Sequence, residues 1–394
     1  MDSGCILKGR SPESSLSSLF TGNSRRMPAR LFGIVSLAIT ALVMTMPSCG
    51  PQRTDGVSPE ALVVFPPPPD TARIQFLTRI SNSFDVGQKA GGGFMTFLLG
   101  GDEGKDGKPI VKPYGIALHG GTIYVCDTML PGLDVIDLEG HSFEYRRPRG
   151  MGQLKKPINC FVDDDTGLLY VADTERGQVV VFDQQGGYVD AIGTAGMKPS
   201  DVFVEGNTIW MADMASQQIR TYDKVTRRFR SAVPDSTAPA AGALYQPTNL
   251  YVRDDRIYVT DFGDFRIKIF SRTGEFLNAV GSYGLSPGQF VRPKGIAVDR
   301  DHNLYVVDAG FENVQVFDRD GKLLMFFGGS YEGLGTMWLP AKVIIDYDNL
   351  SYFQRYVSSQ FTLKYLILVT NQYGPDKISV YGFVEPRQAP AGSR

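Results

Sequence analysis

"NLYVVDAGFENVQVFDRDGKLLMFFG", residues 303–328, decides the fold. An apolar run over 304–307 ends at Asp308, and a small polar loop follows. Residues 314–317 form a second apolar run, Arg319-Asp320-Gly321 supplies a turn, and residues 323–327 form a third. Alternation and turn chemistry predict a three-stranded antiparallel meander. Such a meander is apolar on both faces and is not stable alone, so it must pack against further copies or other elements.

The copies are in the chain. An Asp that closes the second strand is followed ten residues later by a polar turn residue. The pairs are Asp127/Asp137, Asp173/Asp183, Asp213/Asp223, Asp261/Ser271 and Asp308/Asp318. An apolar triplet precedes each Asp, as in Ile123-Tyr124-Val125 and Ile209-Trp210-Met211. Upstream of each triplet a Pro opens another short strand: Pro113, Pro157, Pro199, Pro247 and Pro293, spaced 44, 42, 48 and 46 residues apart. A sixth copy opens at Pro340 and resumes at "YLILVTNQYGPDKISVYGF", with Asn371 in place of the Asp. A period of 40–50 residues with four short strands per unit predicts an all-β, six-bladed β-propeller with four-stranded blades.

Strand a "KGIAV", b "LYVVDAG", c "VQVFD" and d "LLMFFG" resemble NHL repeats, and the resemblance covers residues 72–386. With the export features below, the chain resembles bacterial exported NHL lipoproteins. NHL propellers include lyases, RNA binders and scaffolds, so the resemblance implies a fold rather than a reaction.

Blade six lacks an outer strand after Pro340. Residues 72–81, "ARIQFLTRIS", are expected to supply it, so that an N-terminal strand closes the ring and removes an open edge. The insertion "NLSYFQRYVSSQF", residues 349–361, places Leu350, Phe353, Tyr356 and Val357 on one helical face. It reads as a short helix docked over the lower end of the ring. Residues 88–111 are long for a link; Phe94, Phe97 and Leu98 read as one apolar helical turn, and Asp102, Glu103 and Asp106 lack the spacing of a calcium loop.

Residues 1–48 read as a signal segment. Arg25, Arg26 and Arg30 precede sixteen uncharged residues, 31–46. As a helix these span about 24 Å, short of the ~30 Å hydrocarbon core. Met46-Pro47-Ser48-Cys49 resembles a bacterial lipobox, which implies lipid attachment at Cys49 and an exported, membrane-anchored protein at the periplasmic or extracellular face of the envelope. Residues 49–71, with "FPPPPD" at 65–70, read as a flexible, Pro-rich tether, and 387–394 as a disordered tail.

Composition agrees with a turn-rich sheet protein. The 394 residues are 42% hydrophobic and 11% aromatic, with 44 Gly and 24 Pro. Residues 49–394 carry 35 Lys and Arg against 40 Asp and Glu, which argues against nucleic acid as a partner. Of four cysteines, Cys126 and Cys160 fall within the repeats, at positions where other copies carry small or apolar core residues. No Cys-x-x-Cys redox motif and no Gly-x-Ser-x-Gly nucleophile elbow occurs.

A residue required once per blade serves the fold, so the repeated Asp series is assigned to backbone hydrogen bonding. Departures from the repeat are the functional candidates. Two residues after each opening Pro, near the mouth of the central channel, stand Gly115, Asn159, Asp201, Asn249, Gly295 and Lys342. Asn159, Asp201, Asn249 and Lys342 are therefore the candidate binding residues, read as a solvated channel mouth in which Lys342 can pair with Asp201. The b–c loops of the same rim add Met129, Arg176, Phe262, Phe265, Arg266 and Tyr373, a surface suited to a protein or a small-molecule ligand on the top face. The expected product is a non-catalytic binding scaffold, a monomeric ring with no cofactor.

A competing reading comes from resemblance to six-bladed lactonases of the regucalcin and gluconolactonase type. These hold a divalent metal with Glu, Asn and Asp at such positions, which implies Asn159, Asp201 and Asn249 as ligands and metal-assisted hydrolysis at the mouth. No matching Glu stands here, and one carboxylate with two amides is a poor set for a hard cation. The α-amidating lyase propellers bind zinc through histidines; His119, His141 and His302 all fall in turns, away from the channel position.

Overall fold

The computed structural model describes residues 62–87, 107–234 and 239–387. Five antiparallel four-stranded sheets span residues 113–146, 157–192, 199–233, 247–280 and 293–328, and each runs a-b-c-d in chain order. These are blades one to five. Blade six combines strands Pro340–Asp346, Phe361–Asn371 and Ile378–Pro386 with Ile74–Ile80 from the other end of the chain. The protein is a six-bladed β-propeller.

The closing strand pairs antiparallel with Ile378–Pro386, with Ile80 opposite Ile378 and Ile74 opposite Phe383. Side chains alternate along the strand, and a bulge between Phe76 and Thr78 shifts that alternation by one residue, so that Leu77 and Ile80 share a face. Ile74 and Phe76 therefore join the apolar cluster shared by blades five and six, whereas Leu77 and Ile80 join the one shared by blades six and one. A short strand, Val64–Phe65, continues the sheet beyond Ile74–Ile80, so blade six has five strands. Residues 62–71 are thus not simply a tether: the sheet begins before Ala72, because Val64 and Phe65 pack on apolar clusters of blade six. The expected helical turn at Phe94, Phe97 and Leu98, the expected signal segment and Cys49, and residues 388–394 lie outside the described residues.

Six apolar clusters hold the ring, one between each pair of neighbouring blades. The opening meander buries its faces against blades four and six in this way. Cys126 and Cys160 are buried free thiols in the cluster between blades one and two, and burial pushes the Cys126 thiol up, with Cys160 adding to the effect.

The repeated Asp is buried in every blade that has it. In blade five, Asp308 accepts from the N–H groups of Val291 at 2.7 Å, Arg292 at 3.0 Å, Gly310 at 2.7 Å and Phe311 at 3.3 Å. Asp127 and Asp173 do the same for their own blades. The expected b–c loop bonds are present, and the same carboxylate also fixes the chain as it enters strand a. Asn371 holds only the Trp338 N–H with its oxygen, at 3.2 Å, and turns its amide to Asp376 O and Ser379 Oγ.

The 349–361 insertion forms two 3-10 turns, Leu350–Tyr352 and Gln354–Tyr356, rather than one helix. Such a short run does not support α-helix nucleation, and 3-10 turns are its usual form. The predicted face still docks: Phe353 is buried, and Leu350, Tyr356 and Val357 pack beside it on the blade six–blade one cluster. Gln75 of the closing strand clamps the insertion by donating to Tyr356 O at 2.9 Å and accepting from Ser358 N at 3.1 Å.

A candidate ligand channel beneath a locked mouth

Strand a of every blade carries an irregularity just after its opening Pro. A bulge there re-aims the second residue. Gly115 and Gly295 are small because the next blade comes close. A Cβ on Gly115 would lie 2.4 Å from Asn159 Cα, and one on Gly295 would lie 2.5 Å from Lys342 Cα. The glycines make room for the polar residues that follow them round the ring.

Asp201 of blade three and Lys342 of blade six stand opposite each other in the ring. They meet across the channel, with Lys342 Nζ 2.6 Å from Asp201 Oδ2 and side-chain exposures of 8% and 1%. The same oxygen accepts from Leu250 N at 3.0 Å and Asn249 Nδ2 at 3.3 Å, and Oδ1 accepts from Val202 N at 3.0 Å. Tyr114 donates its hydroxyl to Asn249 Oδ1 at 3.4 Å, and burial followed by the Asp201 charge holds that hydroxyl above its usual range. Asn159 donates to Ser200 O at 2.7 Å, and its Oδ1 is buried without a hydrogen-bond partner. Three of the four candidates, Asp201, Asn249 and Lys342, meet, with Lys342 paired to Asp201 as the sequence allowed, while Asn159 bonds the Ser200 backbone instead. The expectation of a solvated mouth is corrected: Asn159, Asp201, Asn249 and Lys342 are all buried, because Asp201 pairs with Lys342 and Asn249 across the ring while Asn159 is held by the Ser200 backbone.

Outside this lock, Lys294 donates to Gln372 Oε1 at 2.8 Å and stands 5.5 Å from the Tyr114 ring centre. Burial, followed by Arg292 and Lys112, brings its ammonium down to about 8. Met129 and Tyr373 are exposed, and Phe265 stacks edge-on with Tyr283 at 4.9 Å.

Beneath the lock lies a cavity of about 670 Å³. Lys342 forms its closed end, and a–b loop residues, including exposed Asp164, Arg300 and Asp348, form its open end. Its wall includes Phe161, Phe203 and Tyr251 from three consecutive blades, whose rings follow one another at 4.5 and 5.0 Å, and Ile344 of blade six. Sequence reasoning missed this wall. The signal lay four residues after each opening Pro, where Ala117, Phe161, Phe203, Tyr251, Ala297 and Ile344 depart from any repeat.

The donor set does not fit a hard divalent ion. Its one carboxylate already carries an ammonium and two N–H groups on Oδ2, whereas such ions take six to eight oxygen ligands. Among the described residues no three His, Cys, Asp or Glu side chains are grouped to hold a metal.

Residues 243–385 match a protein family described as a 6-bladed beta-propeller. No curated protein matches the chain. A structural genomics protein of unknown function from Bacteroides thetaiotaomicron is 17% identical with a TM-score of 0.54, over 80% of this chain and 77% of that one. A virginiamycin B lyase from Staphylococcus aureus is 14% identical with a TM-score of 0.47, over 71% and 85%. A gluconolactonase from Xanthomonas campestris is 16% identical with a TM-score of 0.47, over 70% and 86%. The likeness to the Bacteroides thetaiotaomicron protein shows a shared fold alone.

Proposed function

We propose that this propeller is an NHL-type, lipid-anchored binding module of the bacterial cell envelope, which holds a small molecule in its channel and performs no chemistry on it. The observation that carries the reading is the cavity beneath the Asp201–Lys342 lock, whose wall includes Phe161, Phe203 and Tyr251. A concave space of this size that combines aromatic wall with a few polar and charged groups is a usual form of a ligand site. The ligand site is placed in the lower channel rather than at the top-face mouth, where Asp201, Asn249 and Lys342 are spent on each other.

The hydrolase alternative asks for an activated water and a means of polarising the substrate. At the mouth, the carboxylate that would hold a metal is neutralised by Lys342. In the lower channel, the wall is mainly aliphatic and aromatic, and its carboxylates are at the open rim. Among the described lining residues there is no Ser or Thr, and Cys160 donates its thiol to Tyr124 O, so no serine, threonine or cysteine nucleophile is paired with a base.

Anchoring follows from Cys49 at the end of the signal segment. In a bacterial host that exports the full chain, an alkynyl fatty acid is expected to label the wild type and not Cys49→Ser. The wild-type protein should fractionate with membranes. Undiminished label on Cys49→Ser would refute lipid attachment at this residue.

A further inference from the structure

We infer that the channel takes an anionic molecule with a flat apolar body, its acid group against Arg253 and Arg300 and its body against Phe161, Phe203 and Tyr251; this rests on the channel-binding reading above. The charges along the cavity are unequal. At the closed end, Lys342 is neutralised by Asp201 at 2.6 Å. At the open rim, the carboxylates have mostly found partners. Asp164 meets His119 at 3.0 Å, Glu205 pairs with Arg272, and Asp346 accepts from Asn349 N at 2.7 Å and Nδ2 at 2.8 Å. Asp348 is exposed on the same rim and has no cation partner among the described residues.

The two arginines are different. Arg253 reaches over strand a of blade five, where its Nη1 lies 3.5 Å from Val298 O. Arg300 lies flat on the Tyr347 ring, 3.9 Å from its centre. Burial raises the Tyr347 hydroxyl above its usual range, and both guanidiniums act against that shift, so both lie within electrostatic reach of one phenol. Neither guanidinium forms an ion pair among the described residues. Two such forks lining one cavity suit a carboxylate, sulfonate or phosphate, which each can bind in bidentate fashion.

The arrangement fixes an orientation. The body enters first, since the inner wall is aromatic on blades two to four and aliphatic on blade six. The acid stays at the rim, since the inner end offers only an ammonium already paired. A cationic ligand would meet two guanidiniums at the opening that form no ion pair among the described residues.

The test uses the full chain and two probes, 1-pyrenebutyrate and its uncharged amide, titrated by fluorescence. The carboxylate is expected to bind at least about tenfold more tightly than the amide at low salt, as charge complementarity of this kind supplies. Arg253→Gln with Arg300→Gln should bring the carboxylate down to the affinity of the amide, and Phe203→Leu should weaken both probes alike. Arg300→Gln alone, at an exposed position that leaves the fold intact, should remove part of the preference. Equal binding of the two probes, indifferent to the arginine changes, would overturn the anionic class while leaving channel binding in place. Failure of both probes to bind would overturn the channel-binding reading, and this inference with it.

Discussion

Asp201→Ala is expected to lower the stability of the ring by about 3–5 kcal/mol, the range for a buried ion pair that loses one partner. The change leaves the Lys342 ammonium among buried groups with no counter-charge, and it strips the acceptor from Leu250 N and Asn249 Nδ2. The loss comes from what is left unpaired rather than from the pair's own strength. A double variant follows from this. Asp201→Asn with Lys342→Met keeps an acceptor for Leu250 N and removes the stranded charge, so it should recover most of the lost stability. Urea unfolding of the three proteins makes the comparison. A single variant within about 1 kcal/mol of wild type would mean that the pair is solvated after all.

Deletion of residues 62–81 is expected to abolish cooperative unfolding altogether. The closing strand buries Ile74, Phe76, Leu77 and Ile80. At about 1.5–3 kcal/mol for each buried side chain, these four carry as much free energy as a typical domain has in total. Their removal also exposes the edge of strand Ile378–Pro386, and an unpaired apolar edge recruits other chains. Loss of the melting transition and early elution on size exclusion are the expected results. A monomer that melts at the wild-type temperature would show that the ring closes without this strand.

The fold was legible because a propeller writes its structure as a repeat. The Asp at the end of strand b, the Pro that opens strand a and the ten-residue spacing to the c–d turn each recur, and each has one physical job. Even ring closure could be read, because blade six was visibly one strand short. What could not be read came from contacts between distant residues. Val64 and Phe65 form a strand only because Gln75 and Ile74 offer them an edge. The 349–361 insertion kept its apolar face but not its helix, since local spacing sets the face while length and docking set the turn type.

The site was half legible for the same reason. Asn159, Asp201, Asn249 and Lys342 stood out as breaks in the pattern, and the last three do meet. Their burial was hidden, because it depends on blades three and six approaching each other across the channel through residues 141 positions apart. The cavity was hidden more deeply. Phe161, Phe203 and Tyr251 look like ordinary core residues in a strand, and only the ring places their faces side by side around an open space.

A binding pore and a metal-dependent active centre make opposite demands on Asp201, and calorimetric titration of calcium, manganese and zinc into the metal-stripped ring separates them most directly. With Asp201 committed to Lys342 at 2.6 Å, the ring is expected to bind none of these ions stoichiometrically, and Asp201→Asn should not alter the titration. One ion bound per ring and lost in a folded Asp201→Asn variant would contradict the non-catalytic channel and reinstate the hydrolase.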